Sequence, residues 1–163
     1  MLCYMGMPEE TVNAWRNLWF HTGDIAVRDN NGNMFYIDRK GDRIRRRAEN
    51  ISSFDIEAAV ADFAGVKECV AVGVPSSYEN DDDILVYIVT MEKAVVEPLA
   101  LLSFLARALP HFMVPRYIEI IDELPRTPTN KVKKKQLSQR GIQTSTWDRK
   151  GAGVSLKELI SQR

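Results

Sequence analysis

Lys131 follows the segment Leu124-Pro125-Arg126-Thr127-Pro128-Thr129-Asn130 and opens a basic stretch that runs to Arg140. Pro125 and Pro128 stiffen the loop ahead of it, so one mobile cation stands at the tip of a restrained turn. Such a cation suits a phosphate or carboxylate that must be neutralised at one moment and released at another. The plainer role for the same residue is a surface lysine at the start of a basic helix. A second group lies in Trp19-Phe20-His21-Thr22-Gly23-Asp24. An aspartate behind a tight Thr-Gly turn presents its carboxylate rigidly. Its two oxygens can accept from both hydroxyls of a ribose, or they can satisfy nearby backbone amides. The third group is a run of cations, Arg39, Lys40, Arg43, Arg45, Arg46 and Arg47. Planar guanidinium forks bind phosphate well, and a charged row also keeps a strand edge from pairing with another chain.

The elements that carry these groups are legible in outline. Thr11 to Phe20 holds Val12, Trp15, Leu18 and Trp19 at roughly helical spacing, within an irregular or helical lead-in. Asp29-Asn30-Asn31-Gly32 is a turn signal between two short strands, Ile25 to Arg28 and Met34 to Asp38. A second hairpin is expected near Arg43 to Arg46 and Asn50 to Ile51. Ser52 with Asp55 fits a capping box for a helix from Phe54 to about Phe63, ended by Gly65. Val66 to Val74 and Ile84 to Met91 read as buried strands. Pro98 opens a helix whose stripe is Leu99, Leu102, Leu105, Ala106 and Leu109. Tyr117 to Ile121 is a third strand, and a basic helix covers about Val132 to Arg140. The order predicts an α+β fold, a small three-stranded sheet flanked by helices and preceded by a short β-hairpin segment. Residues 141–163 are expected to form a loosely attached polar tail, with a short helix at Ser155 to Ser161.

Composition narrows the classes. The 163 residues carry no net charge, so bulk attraction to nucleic acid or an anionic membrane is not expected. An RNA-recognition sheet displays aromatics on its central strands; here Tyr87 is the lone aromatic among Val and Ile. Cys3 and Cys69 make neither a disulfide framework nor a metal spacing, and Cys69 reads as a reduced core residue. No apolar stretch approaches the roughly 20 residues that span a bilayer. With no leader pattern either, the cytoplasm is the expected location.

Three of these strings, in this order, resemble the signatures of the acyl-adenylate-forming enzymes, the AMP-dependent synthetase/ligase superfamily. Thr22-Gly23-Asp24 is similar to the family's Thr-Gly-Asp signature, which implies that Asp24 holds the ribose of ATP. Asp38-Arg39-Lys40-Gly41, followed by Ala48-Glu49-Asn50-Ile51, resembles the hinge signature. It implies that Arg39 contacts the nucleotide, that Gly41 is the hinge, and that Glu49 and Asn50 lie on the loop that faces the pantetheine channel. Gly41 departs from the Asp or Lys common at the hinge, and Ala48 stands where a glycine is usual. If that position needed positive φ, alanine would cost on the order of 1 kcal/mol. The Lys131 segment resembles the last signature, which implies that Lys131 is the catalytic lysine of adenylation. Leu109-Pro110-His111-Phe112-Met113-Val114-Pro115 resembles a further family element, in which Phe112 could stack on adenine or pack in the core, and Arg116 could meet a CoA phosphate. The string Arg45-Arg46-Arg47-Ala48-Glu49-Asn50-Ile51-Ser52 looks closest to acyl-CoA ligases of the carnitine and fatty-acid branch.

The resemblance implies a division of the chain. Residues 1–40 would be the tail end of a larger N-terminal adenylation domain, and 41–140 a mobile C-terminal domain. The implied substrates are a carboxylic acid, ATP (leaving as AMP) and CoA, with Mg2+ bound mainly by the missing N-terminal domain. The implied reaction is acyl-CoA synthesis, to which an isolated chain of this length would contribute a part and not turnover. Two other classes remain to be weighed: a stand-alone regulatory or interaction domain derived from such an enzyme, and a nucleic-acid-binding α+β module.

Overall fold

The computed structural model describes residues 3–161. Pro8 occupies the first turn of α1 (Pro8–Ala14), where its missing N–H costs nothing. The helix ends there, and the rest of the lead-in to Phe20, expected as irregular or helical, is a short hairpin. Trp15–Arg16 (β1) doubles back on Trp19–Phe20 (β2) as an antiparallel pair. Asn17 and Leu18 make the turn with φ of 54° and 64°, and the Trp15 and Phe20 rings meet with centroids 5.5 Å apart. Aromatic residues suit a strand ladder, and here the cross-strand ring pair outweighs the helical spacing. β3 (Asp24–Arg28) and β4 (Met34–Arg39) form the predicted hairpin. Its turn is tied by Asp29, whose Oδ1 accepts the Asn31 and Asn33 amides at 2.9 and 2.8 Å. The Asn33 side chain and amide hold the Asp29 carboxyl below its usual range.

The chain divides into two compact units, one ending at Gly41 and the next beginning at Asp42. The second starts with a hairpin of β5 (Ile44–Arg46) and β6 (Glu49–Ile51). Then come α2 (Ser53–Ala61), β7 (Val66–Pro75), β8 (Asp82–Thr90), α3 (Pro98–Ala108), β9 (Tyr117–Ile120), α4 (Lys134–Arg140), β10 (Trp147–Asp148) and α5 (Leu156–Ser161). The capping box is not formed, since Ser52 makes no side-chain bond to the start of α2. The sheet order is β10-β9-β8-β7. β7 and β8 run antiparallel, β8 and β9 parallel, and β9 and β10 antiparallel. The parallel pair requires a crossover, which α3 supplies.

Both sheet faces are covered, which explains why β8 reads as an unbroken apolar run. Alternate residues point to opposite faces. Ile84, Val86 and Ile88 pack with Ile56, Val60, Leu101 and Leu105 beneath α2 and α3. Leu85, Tyr87 and Val89 pack with Val70, Val72, Leu124 and Leu137 on the other side. Tyr87 is fully buried, and its hydroxyl donates to the Leu137 and Gly141 carbonyls at 3.1 and 3.2 Å. Burial pushes that phenol up to about 12.

Residues 141–161 are not the loose tail their polarity predicts. They add a fourth strand, β10, so the sheet has four strands and not three. Arg116 explains the attachment. Its Nε and Nη2 bond the two Asp148 oxygens at 3.1 and 3.0 Å, while Nη1 bonds Asp83 at 2.8 Å. The hydrogen bonds from Arg116 hold the Asp148 carboxyl below its usual value of 3.8. A carboxyl depressed by folding adds stability above its unfolded pKa and loses it as pH falls through the folded one. Arg116→Met leaves the nearly buried Asp83 with Arg46 Nη2, 3.9 Å away, as its remaining ion-pair partner and is expected to cost about 2 kcal/mol at pH 7. In thermal melts that deficit should shrink once pH drops below 3.8; a deficit equally large in acid would mean that packing, not charge, was lost.

Candidate functional site

Val132 is drawn out of the predicted helix into a bridge with Arg126, so α4 begins only at Lys134 and residues 127–131 become a tight turn. The Thr127 amide donates to the Lys131 carbonyl at 2.8 Å and the Asn130 amide to the Thr127 carbonyl at 2.9 Å. The Lys131 amide donates to Thr127 Oγ1 at 3.1 Å. Asn130 takes φ of 64°, a conformation that asparagine tolerates better than most residues. Both backbone polar groups of Lys131 are thereby fixed. Its side chain is exposed, and its ammonium makes no hydrogen bond or ion pair among the described residues. A fixed backbone with a free cation at its tip is the geometry the sequence predicted.

In the first unit, Asp24 and Arg39 are cross-strand partners, with Arg39 Nε 3.3 Å from Asp24 Oδ1. Counting outward from Arg28↔Met34 in strict register would set Asp24 against Asp38, like charge against like. A bulge between Ile25 and Ala26 shifts the register by one and substitutes Arg39. Thr22 Oγ1 accepts the Asp24 amide at 3.1 Å, and Gly23 turns at φ of 78°. The carboxylate and guanidinium therefore stand side by side on one edge, both solvent-accessible. Asp38 is nearly buried; its Oδ1 accepts the Arg39 amide at 2.7 Å. Among the described residues its Oδ2 has no hydrogen-bond partner.

The Glu49 hairpin turns through Arg47 and Ala48, at φ of 52° and 66°. Two left-handed residues define the tight hairpin class that Asn-Gly fills without strain. The turn is held from outside by the acidic loop between β7 and β8. Asp82 Oδ2 accepts the Arg45 amide at 3.2 Å and Asp81 Oδ1 accepts the Arg47 amide at 2.5 Å. Ala48→Gly is expected to stabilise the second unit by about 1 kcal/mol, read as a rise in denaturant midpoint; a fall would mean that the methyl is packed. Glu49 and Asn50 are exposed.

The Lys131 turn and the Glu49 turn lie toward opposite ends of β7. Arg126 reaches Glu68 near the strand's start, whereas Asp82 pairs with Pro75 at its end. Seven residues of strand separate those points, roughly 20 Å at 3.3 Å per residue.

Two expected ligand contacts are met by other partners. The guanidinium donors of Arg116 go to Asp83 and Asp148, 17% of its side chain is exposed, and it lies 4.6 Å from the Tyr117 ring centroid. Phe112 packs partly buried on the larger core cluster, edge-on to His111 at 5.8 Å. Lys134, within the basic stretch that runs to Arg140, points inward. Its Nζ donates to Glu57 Oε1 and Ser53 Oγ, each at 2.8 Å. Trp147 amid a polar tail was the one sequence signal for β10; nothing local announced Lys134.

A family model for the AMP-binding enzyme C-terminal domain matches residues 55–131. A long-chain-fatty-acid–CoA ligase of Escherichia coli O157:H7 is 36% identical over 137 residues, 84% of this chain and 24% of the ligase. ATP-bound MatB from Rhodopseudomonas palustris is similar with a TM-score of 0.73 at 27% identity, covering 85% of this chain and 27% of that one. The amide bond synthetase McbA from Marinactinospora thermotolerans gives 0.69 at 27% identity, covering 85% and 28%. The mixed sheet beneath two helices is thus the C-terminal domain fold of the adenylate-forming enzymes. The chain belongs to that family as a C-terminal portion of an AMP-binding enzyme, and it spans about a quarter of the length of the curated relatives it matches.

Proposed function

We propose that this chain is the mobile C-terminal part of an ATP-dependent acyl-CoA synthetase, with residues 1–40 closing the nucleotide domain and 41–140 turning against it. The observation that carries the reading is Lys131, fixed through its backbone with its ammonium free. In the first half-reaction a carboxylate oxygen attacks the α-phosphorus of ATP, and the bond to pyrophosphate breaks. The Lys131 ammonium bridges the substrate carboxylate and an α-phosphate oxygen. It stabilises the charge that develops as pyrophosphate leaves. Asp24 accepts from the ribose hydroxyls, and Arg39, held beside it, donates to the nucleotide. In the second half-reaction the domain pivots at Gly41, Lys131 withdraws and the Glu49 hairpin takes its place. The CoA sulfur attacks the acyl carbon and AMP departs with the acyl-phosphate electron pair. The separation of roughly 20 Å along β7 supports two faces used in turn, because one small unit cannot hold both turns against one substrate at once.

Mg2+ would serve to neutralise the phosphates. Among the described residues no cluster of three or more His, Cys, Asp or Glu side chains could hold it. The test is ATP–pyrophosphate exchange by the gene product that carries this chain, run against a panel of carboxylates, followed by AMP release with CoA or with amines. Carboxylate-dependent exchange with CoA-dependent AMP release is expected. Release with an amine in place of CoA would make the reaction that of an amide bond synthetase, as McbA is, and absence of exchange across the panel would leave an interaction domain as the better reading.

A further inference from the structure

The 126–134 segment is anchored at both ends to one strand. On the near side Arg126 Nη1 donates to the Asn130 carbonyl at 2.9 Å, and Nη2 donates to Glu68 Oε2 on β7 at 2.7 Å. One guanidinium thus ties the residue before Lys131 to the sheet. On the far side Lys134 donates to Glu57 Oε1 at 2.8 Å, and that same oxygen accepts the Ala71 amide of β7 at 2.9 Å. Ser53 Oγ takes a further bond from Lys134 at 2.8 Å. β7 is an edge strand, and an edge leaves backbone groups open to other partners. Here one of them is engaged by Glu57, and Ser138 Oγ caps the Gly73 carbonyl at 2.7 Å. The edge is therefore a mounting for the lysine turn.

We propose that Arg126–Glu68 and Lys134–Glu57 form a bracket of positioning residues that sets where the Lys131 ammonium is delivered, a role that rests on the reading of Lys131 as the adenylation lysine. Neither ion pair touches substrate. Arg126 is suited because its planar fork reaches two acceptors at once, which a lysine cannot do with the same geometry. The bracket leaves the Lys131 ammonium unbonded, so holding the turn does not cost the cation its freedom to reach a ligand.

The experiment is amide hydrogen exchange on this chain without substrate, comparing Arg126→Met, Glu68→Ala and the double variant. Each single change is expected to speed exchange at Thr127, Asn130 and Lys131 roughly fivefold, with Val86 and Ile118 in the sheet unchanged. The double variant should add nothing to either single, and Arg126→Lys should fall between. Unchanged turn amides, or single effects that simply add, would overturn the bracket. In the gene product, Arg126→Met should lower kcat for adenylation on the order of tenfold with KM for ATP unchanged. An unchanged kcat beside a loosened turn would also overturn the positioning role. Lys131→Ala in the same assay decides the functional reading separately, because exchange is read with no substrate present.

Discussion

Lys131→Ala is expected to slow acyl-adenylate formation by about 10²- to 10³-fold, the usual consequence of removing one group that stabilises developing charge. Thioester formation from supplied acyl-adenylate should stay near its original rate. The asymmetry follows from the geometry. The turn is made by Thr127, Asn130 and backbone atoms, and the Lys131 side chain bonds none of them. Truncation therefore removes a cation without loosening its support, and the melting temperature should not move measurably. Lys131→Arg is not a conservative rescue, because a planar fork replaces a compact ammonium at a site that must fit between two oxyanions. The two half-reactions are separable by pyrophosphate exchange and by AMP release from synthetic acyl-adenylate. Equal loss in both would remove Lys131 from its assigned role and point to a defect in folding or docking.

Much of the fold was legible because the second unit obeys simple periodicities. The apolar runs at Val66–Val74 and Ile84–Met91, the proline at Pro98 and the residues Leu102, Leu105 and Ala106 on α3 follow from burial on two faces or one, whereas Leu99 of the expected stripe is exposed and Leu101 is buried instead. What failed did so where a distant partner overrode a local preference. Trp15 and Trp19 sit at helical spacing, yet Trp15 meets Phe20 across a two-residue turn. Residues 141–161 look like a solvated tail until Arg116, 32 positions earlier than Asp148, supplies the countercharge that seats β10. Local composition carries no record of such a contact.

The site shows the same division. Lys131 beyond a stiffened loop was visible from the two prolines ahead of it. The pairing of Asp24 with Arg39 was not, because it turns on a single bulge in a hairpin whose unbulged register would oppose two aspartates. The strain at Ala48 was posed by the sequence as a condition on φ, and the left-handed backbone there meets that condition. Arg116 was assigned to a phosphate by its place in a string, but three of its five N–H donors are already bonded to two carboxylates. Arg126 and Lys134 escaped notice because a basic run gives no sign of which members turn inward.

Gly41→Pro is expected to preserve one half-reaction and lower overall turnover more than tenfold, since the pivot between them would be blocked. Proline fixes φ near −65° and forces the residue before it, Lys40, toward extended backbone. Lys40 already donates its amide to the Gly23 carbonyl at 2.8 Å, so the restriction falls on a residue tied to the first unit. Gly41 is the last residue of that unit, and a Cβ built there meets nothing within 4 Å. Its φ also lies outside the left-handed range that would demand glycine. Gly41→Ala is consequently expected to change stability by less than about 0.5 kcal/mol and to keep both half-reactions, which makes it the control for bulk alone. The pair of variants separates two uses of a glycine, as space and as freedom. Loss in both would mean that the position is crowded in some working state. Full activity in Gly41→Pro, with both half-reactions at their original rates, would place the pivot elsewhere in the chain.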